Sequence, residues 1–70
     1  MGMIDGFLRV TIEGVEVVRA TGLVLMCRVG EKVVGVPPLR MLPGTTIQTL
    51  GDRGTLVLPR EVALNIGLIT

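Results

Sequence analysis

Apolar and polar residues alternate from Leu8 to Glu13, with Leu8, Val10 and Ile12 on one side and Arg9, Thr11 and Glu13 on the other. A period of two is that of a half-buried strand, and it predicts one over Phe7–Glu13. Gly14 follows, and "VEVVR" resumes the alternation in the opposite phase. A glycine at a phase break predicts a bulge or bend, and "ATG" at 20–22 predicts a turn. "LVLMCRV", Leu23 to Val29, reads as a second strand, apolar on both faces except at Arg28. Two apolar faces call for cover on both sides, the second of them from another subunit. "GEK" predicts a hairpin loop and "VVGV" its return strand.

Pro37 and Pro38 end that ladder, because proline has no N–H to donate. "PPLRMLPG" then reads as an extended connector held down by Leu39, Met41 and Leu42. Thr45–Leu50, "TTIQTL", is a threonine-rich strand by propensity, with "GDRG" turning the chain so that "TLVL" pairs back on it. Pro59 closes this strand. "REVALNI" supplies two helical turns with Gly67 as the stop, a helix short enough to need tertiary support. The elements amount to an all-β fold with one short C-terminal helix in a single domain over 1–70. Such a set builds a small β-barrel or an intertwined, swapped-hairpin-like homo-oligomer.

Composition changes this picture in one respect. With 70 residues, 49% of them hydrophobic, and a mean hydropathy of +0.70, the chain carries more apolar material than a small monomer readily hides. A membrane-spanning helix needs about 20 consecutive apolar residues. The most apolar run, Ala20 to Cys27, is fenced by Arg19 and Arg28, and the uncharged stretch between Arg40 and Asp52 contains Pro43, Gly44 and threonines. "MGMIDGFL" lacks the basic start and long apolar core of a secretion signal. The expectation is a cytoplasmic protein with no membrane partner that binds itself, at least as a dimer. Leu23 and Leu25 on the second strand, and Leu64, Ile66 and Leu68 at the C-terminal end, are the expected subunit contacts.

Charge and chemistry narrow the function classes. The net charge is +1, and six of the seven cations are arginine, the side chain suited to interfaces and phosphates. The near balance leaves no broad basic field. Histidine, tyrosine and tryptophan are absent, and Cys27 is the single cysteine. It has no partner for an intrachain disulfide and no companions for a metal cage; its apolar alternation marks it as core. Asp5, Glu13, Glu16, Glu31, Asp52 and Glu61 are scattered, with no pair spaced for acid–base work. "GDRG" lacks the lysine and Ser/Thr of a phosphate-cradling loop. The expectation is no enzyme, no catalytic residue, no metal and no cofactor.

One stretch carries a motif. "TIQTLGDRGTLVLPREVALNIGL", Thr46 to Leu68, resembles the strand–glycine turn–strand–proline–helix half of the AbrB-like, swapped-hairpin DNA-binding family. Gly54, Leu56, Val57, Leu58, Pro59, Arg60, Glu61, Ile66, Gly67 and Leu68 fall on that pattern, over about a third of the chain. The resemblance implies an intertwined homodimer, a regulator or antitoxin that grips duplex DNA through basic residues on a β-surface. Arg53 and Arg60, flanking the motif's second strand, are the phosphate contacts it suggests. The sequence departs from the family at Thr55, where a basic residue follows the turn glycine, and at Ala63 and Leu64, where the helix is often basic. The family also adds two strands after the helix, whereas the additional strands expected here precede the motif. Balanced charge and missing helix cations point to the alternative, a protein-assembly module that binds no nucleic acid; a ligand-binding barrel is a more distant third. Arginines gathered on one face would serve DNA, and arginines paired with carboxylates would serve assembly.

Overall fold

The computed structural model describes residues 8–69; the expected strand start at Phe7, Asp5, and all but Leu8 of the stretch read for a secretion signal lie outside the described residues. Four strands are present: β1 (Arg9–Ala20), β2 (Leu25–Val29), β3 (Lys32–Val36) and β4 (Arg53–Pro59). A 3₁₀ turn covers Pro38–Arg40, and a single α-helix, α1, spans Arg60–Asn65. The strands form one antiparallel sheet in the order β3-β2-β1-β4. It is an open sheet with β3 and β4 at opposite edges, and each strand finds its neighbours within the chain.

Strand β1 unites two of the expected strands. Gly14 adopts φ 74, a left-handed conformation that costs glycine nothing. The pairing with β4 steps from Ile12↔Leu56 to Val15↔Gly54, so three residues of β1 advance against two of β4, as in a bulge. The extra residue switches which positions face inward, and Val10, Ile12, Val15 and Val17 are all buried. The phase break in the sequence is therefore a device that keeps one bent, 12-residue strand apolar on its inner face. Its first part pairs with β4, its last part with β2, and Glu16 pairs with both.

The β2–β3 hairpin turns through Gly30 and Glu31, with Gly30 at φ 63. A left-handed glycine at the first central position is what the strand twist favours in a two-residue loop. Strand β2 starts later than expected. The Thr21 hydroxyl accepts the N–H groups of Leu23 (3.2 Å) and Val24 (3.0 Å) and so holds a local turn in place of the ladder. Leu23 sits in that turn, 87% exposed, whereas Leu25 is 3% exposed in the core.

The segment between β3 and β4 differs most from expectation. In place of an extended connector, Arg40 N–H and Met41 N–H donate to the carbonyls of Pro37 and Pro38, forming the 3₁₀ turn. Thr45–Leu50 is not a strand. Residues 42–46 run beside the outer edge of β4 and are tied there by two backbone bonds, Leu42 N–H to Val57 O and Thr46 N–H to Thr55 O, both 2.9 Å. Two threonine hydroxyls complete the attachment. Thr45 Oγ1 accepts from Val57 N–H and Thr46 Oγ1 from Thr55 N–H, both at 2.9 Å. Hydroxyls thus take the role a paired backbone would have, and the edge of β4 is capped. Val57 is buried beneath this loop. The turn that follows is stapled by Asp52, whose carboxylate accepts the N–H groups of Gln48 (2.8 Å) and Thr49 (2.9 Å).

Helix α1 follows Pro59 directly and covers the inner face of the sheet. Val62 and Ala63 are buried, and Ile66, Leu68 and Ile69 pack against the same core as Val10, Leu25, Cys27, Ile47, Leu56 and Leu58. Gly67, at φ 84, ends the helix as expected. Leu68 N–H reaches Ala63 O (2.9 Å) and Gly67 N–H reaches Leu64 O (3.1 Å), the two bonds of a Schellman cap. Six residues form a helix here because the sheet covers one side of it and the cap closes its end.

Candidate interaction surfaces

The outer face of the sheet, opposite α1, carries the densest set of charged side chains. Register builds it. Arg53 pairs with Glu16, Glu16 with Arg28, and Arg28 with Val33, so one row crosses β4, β1, β2 and β3. In the middle of this row Glu16 accepts Arg28 Nη2 at 2.6 Å and lies 3.5 Å from Arg53 Nη2. The hydrogen bond from Arg28, aided by the charges of Arg28 and Arg53, holds the Glu16 carboxyl below the usual carboxylate range. Glu16 thereby fixes two arginines that are 12 and more residues away in sequence. At this exposure such pairs orient side chains more than they stabilise the fold.

Beside the charged row lies an apolar patch. Val18, Val24, Met26 and Val33 line a shallow hollow with Arg19 and Thr21. Val33 is 48% exposed and Leu23, in the adjoining turn, far more so. Gly35 belongs to this face; a side-chain carbon there would press on Val24 and Met26, so glycine lets those two side chains lie across β3. Val24 and Met26, in the run read in the sequence as calling for cover on both faces, are thus real surface.

A second surface surrounds the start of α1. Leu8, Pro59, Arg60, Glu61 and Leu64 line it, with Leu64 42% exposed. Arg40 Nη2 donates to Glu61 Oε2 at 2.9 Å across it, and Arg60 N–H donates to Leu8 O.

The candidate residues therefore separate. Arg53 and Arg60 stand at opposite ends of β4, about 20 Å apart at the rise of a strand, and do not form one cluster within the chain. Arg53 is joined instead by Arg28. Of the expected subunit contacts, Leu23 and Leu64 are exposed, while Leu25, Ile66 and Leu68 pack into the chain's own core. Gly54 is not a turn residue: it lies in β4, where a side-chain carbon would collide with the Thr46 hydroxyl, and the left-handed turn glycine is Gly51 at φ 91.

No family model matches the chain, and no curated protein or solved structure matches it either. Among the described residues no group of histidine, cysteine or carboxylate side chains is arranged to hold a metal ion, and no helix is long and apolar enough to cross a membrane. Cys27 is buried, and burial pushes its thiol above the usual range.

Glu16, Arg28 and Met26 were not singled out as candidates from the sequence. The signal was present in the outward half of each alternation, but only register shows that these outward residues adjoin.

Glu16 and Asp52 make a pH prediction. The N–H groups of Thr49 and Gln48 hold the Asp52 carboxyl below its usual range, as Arg28 does for Glu16. A carboxyl depressed in the folded state contributes stability in full above its unfolded value and loses it as pH falls through the folded one. Urea midpoints are therefore expected to fall as the solution is acidified below about pH 5. Asp52→Asn and Glu16→Gln should each flatten that fall. A wild-type acid limb that neither substitution alters would show that these two bonds do not contribute to it.

Proposed function

We propose that the chain is a non-catalytic β-module that assembles with itself, the function the geometry supports best. The observation that carries this reading is the apolar hollow of Val18, Val24, Met26 and Val33, set against a row of arginines already engaged by a carboxylate. Exposed apolar side chains beside ordered charge are the make-up of an interaction surface. Arg28 and Arg53 share Glu16, and Arg40 is held by Glu61. Arginines so occupied supply orientation and complementarity in a protein contact.

The DNA-binding reading, an AbrB-like regulator, keeps one observation in its favour. Arg19, Arg28 and Arg53 lie around the Glu16 carboxylate on the outer face, three cations about one anion, which leaves the ground around Glu16 locally cationic. In this second reading Arg28 and Arg19 join Arg53 on phosphates, and Arg60 stands apart.

Sedimentation of the full chain over a wide concentration range, with duplex binding measured at low salt, separates the two. Assembly predicts a dimer or larger species at micromolar concentration and no duplex binding. Steeply salt-dependent duplex binding would favour the regulator, and a monomer at every concentration would overturn the assembly reading.

A further inference from the structure

The two edges of the sheet are treated differently. β4 is capped: the outward groups of Thr55 and Val57 are bonded by residues 42–46. β3 has no such cover. The two-residue loop makes Val29↔Lys32 a hydrogen-bonded pair, and the antiparallel ladder then alternates without a bulge through Cys27↔Val34 and Leu25↔Val36. The N–H and C=O groups of Val33 and Gly35 therefore point away from β2. Among the described residues nothing bonds them. The device that most often guards an edge, a lysine lying along it, is diverted: Lys32 alternates to the inner face, where its Nζ donates to Gly67 O at 2.7 Å.

We infer that the open edge of β3 is the site of self-assembly, paired antiparallel with β3 of a second copy across a twofold axis at Val34. This inference rests on the assembly reading above and names the contact. The edge is complementary to itself. With Val34 opposite its own mate, Val33 of each copy lies opposite Gly35 of the other, and each such pair exchanges two backbone hydrogen bonds. Val24 and Met26 lie over Gly35 on the outer face, and the Val33 that faces Gly35 packs beside them. The apolar hollows of the two copies thereby join side by side into one continuous strip on the outer face, with the Val33 side chains at its centre. Charge permits the same register: Lys32 meets Val36 of the other copy, and the two lysines stay roughly 14 Å apart, beyond the screening distance of about 8–10 Å. The hairpin turn at Gly30 and Pro37, which has no N–H, bound the paired segment at either end. A second copy is favoured over an unrelated extended peptide because it satisfies backbone, apolar side chains and charge together with residues already in place.

The test uses the full chain made by chemical synthesis with Gly35→N-methylglycine, which removes one outward N–H and no side chain, and a second variant, Val33→Pro. Neither touches a donor used by β2. Val18→Glu, on β1 and away from the edge, reports on packing of one outer face against another. Edge pairing predicts that the first two variants sediment as monomers where the wild type is a dimer, while Val18→Glu remains dimeric. It also predicts that the Val33 and Gly35 amides gain protection from hydrogen exchange as wild-type concentration rises. If Val18→Glu alone separates the subunits, assembly stands and edge pairing is overturned. If the wild type is a monomer throughout, the assembly reading itself fails. Should Val33→Pro not fold, the N-methyl variant and the exchange of the two amides still decide.

Discussion

Leu58→Ala is expected to lower the stability of the folded chain by about 2–5 kcal/mol. Leu58 has no exposed surface; it lies opposite Val10, itself fully enclosed, in the cluster that also holds Leu56, Val62 and Ala63. Truncation there removes apolar burial and leaves a cavity between sheet and helix, in a part held by short elements on both sides. A chain of this length has a total stability of about 4–10 kcal/mol at the usual value per residue, so the loss would be a large share of the whole. Leu58→Met, which nearly conserves volume, should cost less than about 1.5 kcal/mol. Urea unfolding followed by circular dichroism checks both. Equal midpoints for the alanine and methionine variants would mean that the helix does not enclose this site.

Gly54→Ala is expected to cost about 1–3 kcal/mol, the range for forcing a group into occupied space. The added methyl collides with the Thr46 hydroxyl, the acceptor for Thr55 N–H. Moving that hydroxyl uncaps the edge of β4 as well as relieving the clash. The expected signature is therefore non-additive. Thr46→Ala alone should destabilise by loss of the cap, and Gly54→Ala made on that background should cost much less than in the wild type, because the two side chains meet. Gly51→Ala is a useful contrast: open space surrounds it, but its φ of 91 is one that alanine adopts only under strain. Strictly additive effects at Thr46 and Gly54 would contradict the contact.

Much of this architecture was legible one residue at a time. The alternation of Val10 and Ile12, broken at Gly14 and resumed at Val15 and Val17, is visible in the sequence and is the bulge of β1 against β4. Gly30 and Gly67 stand where a tight hairpin and a helix end need left-handed backbone, and both adopt it. Cys27 was readable as core from its neighbours. Thr45–Leu50 misled, because strand propensity records how well a side chain fits a pleated surface and says nothing of whether a partner backbone is present. Here β4 pairs with β1, and the threonines serve as caps through their hydroxyls.

The candidate surfaces were less legible than the fold. Leu23 and Leu25 read alike in the sequence, two positions apart on one apolar run. The Thr21 turn leaves the first exposed and the second buried. Arg53 and Arg60 flank one motif and yet point to different surfaces, since the strand between them separates them along its length.

By itself the sequence determined the class of the fold, a β-structure closed by one short helix, and some of the places where the backbone turns, at 20–22, Gly30 and Gly67. These follow from period, glycine and proline, all of which act within a few residues. Only the tertiary structure decided that β1 is shared between β2 and β4, that Glu16 stands between Arg28 and Arg53, and that one edge of the sheet is capped while the other is open. The physical reason is that strand pairing joins residues distant in the chain, and local preference, which favours a strand, does not choose its neighbour.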